Sequence, residues 1–170
     1  METWNAIRSR RDVRQFEERA IPGEHLDRIL EAGRRSPSAG NGQPWDFVAV
    51  TERERLVELA EVWRFGHIAG SAATVAIVAT RIDDPGRSEL QMFDVGQVVM
   101  SMMLAAADLG IGSGHSVVED EELARRVLGY PGDRFCAHLV PLGYPDGRPL
   151  FPLRRPNRRP FGDIVHRNDW

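Results

Sequence analysis

Residues 88–109, SELQMFDVGQVVMSMMLAAADL, carry the architecture of this chain in their pattern of apolar residues. Phe93, Val95, Val98, Val99, Met102, Met103 and Leu104 fall at helical spacing, yet they run nearly all round the helix instead of along one stripe. A helix apolar on every side has to be covered on every side. A bilayer is a poor cover, because Glu89, Gln91, Asp94, Gln97 and Asp108 would be costly inside it. No apolar run is expected to reach the length of a membrane span. A chain of 170 residues has little other material to enclose such a helix, which points to a partner subunit on one side. The methionines read most simply as core filler.

Working outward, WDFVAV at 45–50 reads as a strand. TVAIVAT at 74–80 is apolar on both faces and is therefore a central strand, and FCAHLVPLGYP at 135–145 is a third, long one. Helices are expected from Thr3 as cap to about Arg10, from Pro22 to before Pro37, and from about Glu52 to Trp63. A further helix lies in EDEELARRVLG, with acids at its positive end and arginines at its negative end. Ser36 is pushed out of the helical region by the proline that follows it. SPSAGNGQP at 36–44 is a loop, IDDPGR at 82–87 a turn, and IGSGHSVV a glycine-rich turn or strand entry. Strands interleaved with helices give one α+β domain over residues 1–170. The segment 146–170 has too little periodicity to fold alone; it is either disordered or an arm that wraps a surface, and Trp170 favours wrapping.

All 22 basic residues are arginine, against 25 acids, for a net charge of −3. By segment the charge is +1 over residues 1–35, −8 over 36–147 and +4 over 148–170. Two dense clusters stand out: Arg8, Arg10, Arg11 and Arg14, then Arg154, Arg155, Arg158 and Arg159. Like charges this close repel unless an anion or carboxylates sit among them. They are either two solvated basic stretches or the halves of a phosphate site, which the planar guanidinium fork suits. The acidic balance of the whole speaks against nucleic acid. A single Cys136 excludes an internal disulfide framework and multi-cysteine metal sites. The start lacks the apolar core of a signal peptide, and the chain is expected to be soluble and cytoplasmic.

Self-sufficient chemistry is hard to find. There is no P-loop or G-x-G-x-x-G after a strand, and no G-x-S-x-G elbow. The five histidines (25, 67, 115, 138 and 166) have no metal-ligand spacing. Cys136 lies inside a predicted strand with His138 two residues on, on what would be the same face. Without an obvious nucleophile and base, a bound cofactor is expected to carry any reaction.

RSRRDVRQF, SPSAGNGQPWDFVAV, FDVGQVVMSMMLAAADLGIGSG, LVPLGYP and RRPFGDIVHRNDW resemble, in this order and over nearly the whole chain, the nitroreductase family of FMN-dependent oxidoreductases. The arginine-rich start followed by PS-x-x-N-x-QPW is the specific part. The resemblance implies a three-layer α/β/α fold, with a mixed central sheet flanked by helices. It also implies an intertwined homodimer with FMN at the subunit interface, and an arm, 146–170, reaching the partner's sheet.

Carried over residue by residue, Arg10, Arg11 and Arg14 match the opening motif that holds ribityl chain, flavin edge and phosphate. Asp12 stands where many members have Ser; a carboxylate cannot donate to phosphate, so Asp12 orients an arginine or faces the flavin's polar edge. Pro37, Ser38, Ala39 and Asn41 match the loop that approaches the flavin from the partner, with Gln43 and Trp45 anchoring it. Gly114, His115 and Ser116 match the segment that offers a backbone N–H toward flavin N5. Arg158 matches the C-terminal phosphate arginine, with Arg159 as its neighbour. Trp63, Arg64, Phe65 and His67 stand where members often have a polar or basic pair, and they border a substrate pocket. The helical insertion that covers the substrate in longer members is missing.

The implied activity is transfer of hydride from NADH or NADPH through the flavin to a nitroaromatic, quinone or activated alkene, with no metal. Two alternatives are kept. The RRDVR string also resembles the dimethylbenzimidazole synthase branch, which fragments reduced FMN. A protein that stores or senses a flavin or deazaflavin without turnover would use the same basic clusters. Because the chain has no lysine, its phosphate grip has to be guanidinium alone, and the two clusters are expected to meet around one phosphate.

Overall fold

The computed structural model describes all 170 residues, Met1–Trp170. Its elements are α1 (Thr3–Ser9), α2 (Gly23–Arg34), β1 (Trp45–Val50), α3 (Arg53–Ala60), β2 (Ala73–Thr80), α4 (Pro85–Asp108), β3 (Gly112–Ser113), α5 (Glu121–Leu128) and β4 (Arg134–Gly143). The strands form one sheet in the order β1-β2-β4-β3, with β2 and β4 in its middle. All three ladders are antiparallel, and the only parallel pairing is a single bridge between Asp12 and Ser113.

The central strand explains why there are two helical layers. Successive side chains of a strand face opposite sides, and β2 is buried along almost its whole length. Val75 and Ile77 join Val140 and Leu142 under α2 and α4, with Ile29, Val98, Met102 and Met103. Ala76, Val78 and Leu139 face the other way, under α3 and α5, with Leu56, Leu59, Ala124 and Val127. The result is the expected α/β/α sandwich, but the expectation of a mixed sheet is corrected: its four strands are antiparallel throughout, and the one parallel bridge comes from the segment after α1.

Boundaries differ from expectation where local chemistry was underread. Helix α4 starts at Pro85, not Ser88, because the turn residues IDDPGR are a helix start: Asp84 accepts the Arg87 backbone N–H at 2.8 Å and proline occupies the first turn. Helix α1 is preceded by Glu2, and Thr3 is its first helical residue instead of its cap. Helix α3 ends at Ala60, so Val62 and Trp63 belong to the loop that follows.

At 24 residues α4 is, by length and composition, long and apolar enough to cross a membrane, which corrects the expectation that no segment would reach that length. Its inner face is core. On its outer face Leu90, Met92, Phe93 and Met100 stay exposed, Phe93 at 66%. A single chain therefore leaves one side of this helix uncovered. The arm follows the same logic. It is tied by the backbone bonds Asp146 N–H to Gln15 O and Leu153 N–H to Arg8 O, and beyond that its residues are almost all exposed.

The segment after α1 is extended and lies across the end of the sheet. Val13 N–H donates to Ser113 O and Glu17 N–H to Tyr144 O, both at 2.9 Å. Val13 and Phe16 sit where side chains on the sheet would otherwise be: a Cβ on Gly112 would come within 2.6 Å of Val13 Cγ2, and one on Gly143 within 2.7 Å of Phe16 Cδ1. Gly112→Ala is expected to displace this segment and lower stability by about 1–3 kcal/mol, read as a lower midpoint in urea unfolding. An unchanged midpoint would mean that the segment is not seated there.

Candidate functional site

The arginine-rich motif is shaped by the end of α1. Arg10 caps that helix, its N–H donating to Ala6 O, and the chain then turns out along the sheet edge. Arg10 is largely enclosed; one guanidinium nitrogen reaches Asp12 Oδ1 at 2.9 Å and Met103 Sδ at 3.7 Å. Asp12 thus orients an arginine, one of the two roles expected for it. Arg11 donates to the Arg148 carbonyl, drawing the base of the arm against the motif. Partial burial, then the neighbouring Arg148 charge, lower the Arg11 pKa from its ordinary value. Neither Arg11 nor Arg14 has a carboxylate partner.

Beside this motif lies a cleft of about 340 Å³, walled by Asp12, Arg14, Trp63, Phe65, His67 and His115, with Gly114 at its edge. It adjoins a shallower depression of about 550 Å³ that shares Asp12, Arg14 and His67 and adds Arg11 and Asp146. Trp63 and Phe65 meet edge to face at 5.8 Å. Arg64 does not line the cleft: its guanidinium stacks over the Phe65 ring, 4.5 Å from the centroid.

The far wall is the strand entry at 113–116. Gly114 N–H donates to Pro141 O at 3.0 Å and Ser116 N–H to Leu139 O at 2.9 Å. The His115 N–H between them has no partner within the fold. In an extended chain alternate N–H groups face opposite sides, so one backbone donor is left free beside the cleft. The Arg14 guanidinium on one wall, with Arg11 in the adjoining depression, and a free amide on the other are donors of the kind an FMN phosphate and isoalloxazine edge require. The residues present fit that cofactor.

The loop expected to approach the flavin is elsewhere in this chain. Ser38 Oγ accepts the Gln43 N–H at 2.9 Å, and Gln43 Nε2 donates to Asn41 O at 3.2 Å, so Gln43 does anchor it. Three residues adopt positive φ: Gly40 at 57°, Asn41 at 55° and Gln43 at 46°. The loop is held from below by Asp94, only 4% exposed, whose Oδ2 accepts the Ala39 N–H at 3.0 Å. Trp45 is core. Pro37 borders a groove with Met92, Phe93 and Met100 on the uncovered side of α4. None of Pro37, Ser38, Ala39 and Asn41 lines the cleft of its own chain. The side chains of Arg158 and Arg159 hydrogen-bond only to the carbonyls of Asn157 and Asp163 in their own arm.

The Cys136–His138 pair does not form. A bulge in β4 shifts the register, so that Val78 opposes Cys136 while Ile77 opposes His138. The two side chains therefore face opposite layers, and burial pushes the Cys136 thiol up to about 12. His138 instead meets His115, Nε2 to Nδ1, at 3.0 Å. Burial, and then His115, pull His138 down to about 4, and burial lowers His115 as well. Sequence reasoning missed both Asp94 and His138 as site residues. A polar residue on an otherwise apolar helix face was the available signal for Asp94; nothing local signals His138, because the bulge sets its direction.

The chain matches the model of the nitroreductase family over residues 7–64 and 61–144. A protein of Archaeoglobus fulgidus, provisionally named an NADH dehydrogenase/NAD(P)H nitroreductase, is 33% identical over 172 residues, covering 96% of each chain. Among solved structures, a nitroreductase family protein of Clostridium difficile 630 superposes with a TM-score of 0.84 at 22% identity, covering 97% of each chain. An FMN-dependent nitroreductase of Clostridium difficile R20291 does so at 0.82 and 21%, covering 97% of this chain and 98% of that one. At these identities the structural likenesses show the fold.

Two outcomes are expected. Asp94→Ala should cost about 1 kcal/mol for each of the hydrogen bonds lost, from Ala39 and Gln97, and should speed amide exchange across residues 38–43 selectively. Uniform exchange would remove Asp94 as the loop's anchor. Both His115 and His138 have folded pKa values below the unfolded value, so they favour the fold when neutral. Their contribution is present above the unfolded histidine value of about 6.5 and is lost as pH falls from there toward 4. Thermal unfolding between pH 7 and 5, above the carboxylate range, should show the midpoint falling on acidification. A flat profile would contradict the burial of this pair.

Proposed function

We propose that this chain, which belongs to the nitroreductase family, is an FMN-dependent NAD(P)H oxidoreductase. Its acceptors would be nitroaromatics, quinones or activated alkenes. The observation that carries the reading is the juxtaposition made by the Asp12–Ser113 bridge: the Arg14 guanidinium, which has no carboxylate partner, and the free His115 backbone N–H border one cleft, and Arg11 lines the depression that adjoins it.

Bound FMN supplies the exchange of a hydride in two half-reactions. The chain's own residues then do the following. Arg10, held by Asp12, and Arg14 would hold the ribityl and phosphate groups, with Arg11 steadied by the base of the arm. Gly114, His115 and Ser116 form an edge whose free amide would be the donor to the flavin. Trp63, Phe65 and His67 border the substrate side. No side chain is needed to move a proton, since the cleft is open to water.

The site is completed by a second copy. The uncovered stripe of α4, the loop 37–41 beside it and the free edge of β1 supply a face for a homodimer. The partner's loop would bring Pro37, Ser38, Ala39 and Asn41 to the flavin, and the partner's arm would bring Arg158 and Arg159 to the phosphate. The two arginine clusters would meet between chains, not within one.

The purified protein is expected to take up FMN with a flavin spectrum and to oxidise NADH or NADPH in the presence of a quinone or nitroaromatic. Arg10→Ala and Arg158→Ala should each weaken FMN retention about tenfold or more, the scale of a charge-assisted hydrogen bond; unchanged affinity in both rejects the phosphate grip. A colourless protein that refuses FMN rejects the whole reading. Fragmentation of reduced FMN under air would move it to the dimethylbenzimidazole synthase branch. Bound flavin with no turnover of any acceptor would make it a carrier.

A further inference from the structure

The His115–His138 contact is built by the sheet, not by chance apposition of two surface side chains. Ser116 and Leu139 form an antiparallel bridge with both backbone bonds made, at 2.9 and 3.0 Å. His115 and His138 are then diagonal neighbours across that pair, the spacing at which long and aromatic side chains reach one another. The β4 bulge puts His138 opposite Ile77, on that residue's face of the sheet, while Cys136 falls on the other. The rings meet edge to face with centroids 5.2 Å apart, and the nitrogen–nitrogen distance is 3.0 Å.

Such a pair has only two neutral arrangements, because one nitrogen must donate and the other accept. If His138 Nε2–H donates, His115 accepts at Nδ1 and carries its own proton on Nε2. If His115 Nδ1–H donates, both rings adopt the Nδ1–H form. The first arrangement puts both imidazoles in the tautomer that free imidazole side chains prefer. It also leaves an N–H, not a lone pair, as the free edge of a ring that borders the cleft together with the Asp12 carboxylate, whose charge favours a proton on His115. Once Nδ1 is committed to His138, only Nε2 is left for the cleft.

We propose that His138 is a positioning residue that locks His115 as a neutral imidazole with Nε2–H presented to the cleft. There His115 donates to the oxygen of a nitro or quinone acceptor as that oxygen gains negative charge. This rests on the oxidoreductase reading above. A neutral donor polarises an oxygen without first having to be charged, and a fixed one avoids reorganisation when charge develops. The groups facing His115 are Asp12, which favours its protonation, and Arg10, which opposes it; Arg14 and His67 share its cleft, and His138 sits behind it. Burial of both rings works against ionising either one, in keeping with a pair that stays neutral at pH 7.

Long-range proton–nitrogen imidazole spectra of the FMN-free and the FMN-loaded protein test this directly. His115 should show the neutral Nε2–H pattern at pH 7 in both, and should titrate below the ordinary value of about 6.5. His138→Phe should free Nδ1, mix the tautomers and move the His115 titration up toward that value. His138→Gln keeps an N–H donor at the same place, and should restore the single tautomer and guard against a folding defect in the phenylalanine variant. With FMN bound, His138→Phe should lower kcat for quinone reduction about tenfold, with His138→Gln recovering most of it. An Nδ1–H form of His115, or a His115 titration indifferent to both His138 variants, overturns the proposal. The FMN-free spectra separate the two readings. If they show the locked tautomer but the loaded protein fails to turn over any acceptor, the oxidoreductase reading fails while the geometry stands.

Discussion

The rest of the molecule depends on one close approach: the extended chain at Val13–Phe16 lying directly on Gly112 and Gly143. A side chain at either glycine would occupy the space that Val13 and Phe16 fill. Seated there, the segment carries its arginines to the sheet edge at which Gly114–Ser116 begins, and the Asp12–Ser113 bridge fixes the register between them. The cleft is the gap between two stretches of backbone that lie about a hundred residues apart in the chain. Because both are hydrogen-bonded to the same sheet, the backbone on either side of the gap is held in fixed register, and the free His115 amide is held in place with it.

A second constraint is the helix that cannot be covered. The inner side of α4 supplies Val98, Met102 and Met103 to the core, while its outer side leaves Phe93, Met92 and Met100 in water. The buried Asp94 belongs to neither role. A carboxylate inside an apolar helix face is expensive unless it is hydrogen-bonded, and here the Ala39 amide and Gln97 satisfy it. Its effect is to tie a loop with three positive-φ residues to the longest helix of the fold. The loop thus sits on the uncovered side of α4 and not at its own chain's cleft.

Much of this was legible in the sequence. Strand β2 announced itself by apolar residues at every position, and α4 by apolar residues on every side. The RRDVR and PSAGN strings marked the residues that border the cleft and form the loop. Local chemistry was misread where two signals overlapped. IDDPGR carries turn residues, yet aspartate followed by proline is also a helix start, and the helix won. Arg64 stands in sequence among the pocket's aromatic residues, but it stacks on Phe65 and does not line the cleft.

By itself the sequence determined the layers and the chemistry on offer, because hydrophobic period and residue type are local properties that survive any arrangement of the chain. It determined that any phosphate grip must be guanidinium, since no lysine exists. The tertiary structure alone decided which groups meet. Cys136 and His138 are two residues apart and face opposite layers, because a bulge adds one residue to a strand whose side chains alternate. His138 and His115 are 23 residues apart and share a hydrogen bond, because a backbone bridge sets them diagonally across a ladder. Register is a relation between two strands, and no stretch of one strand contains it.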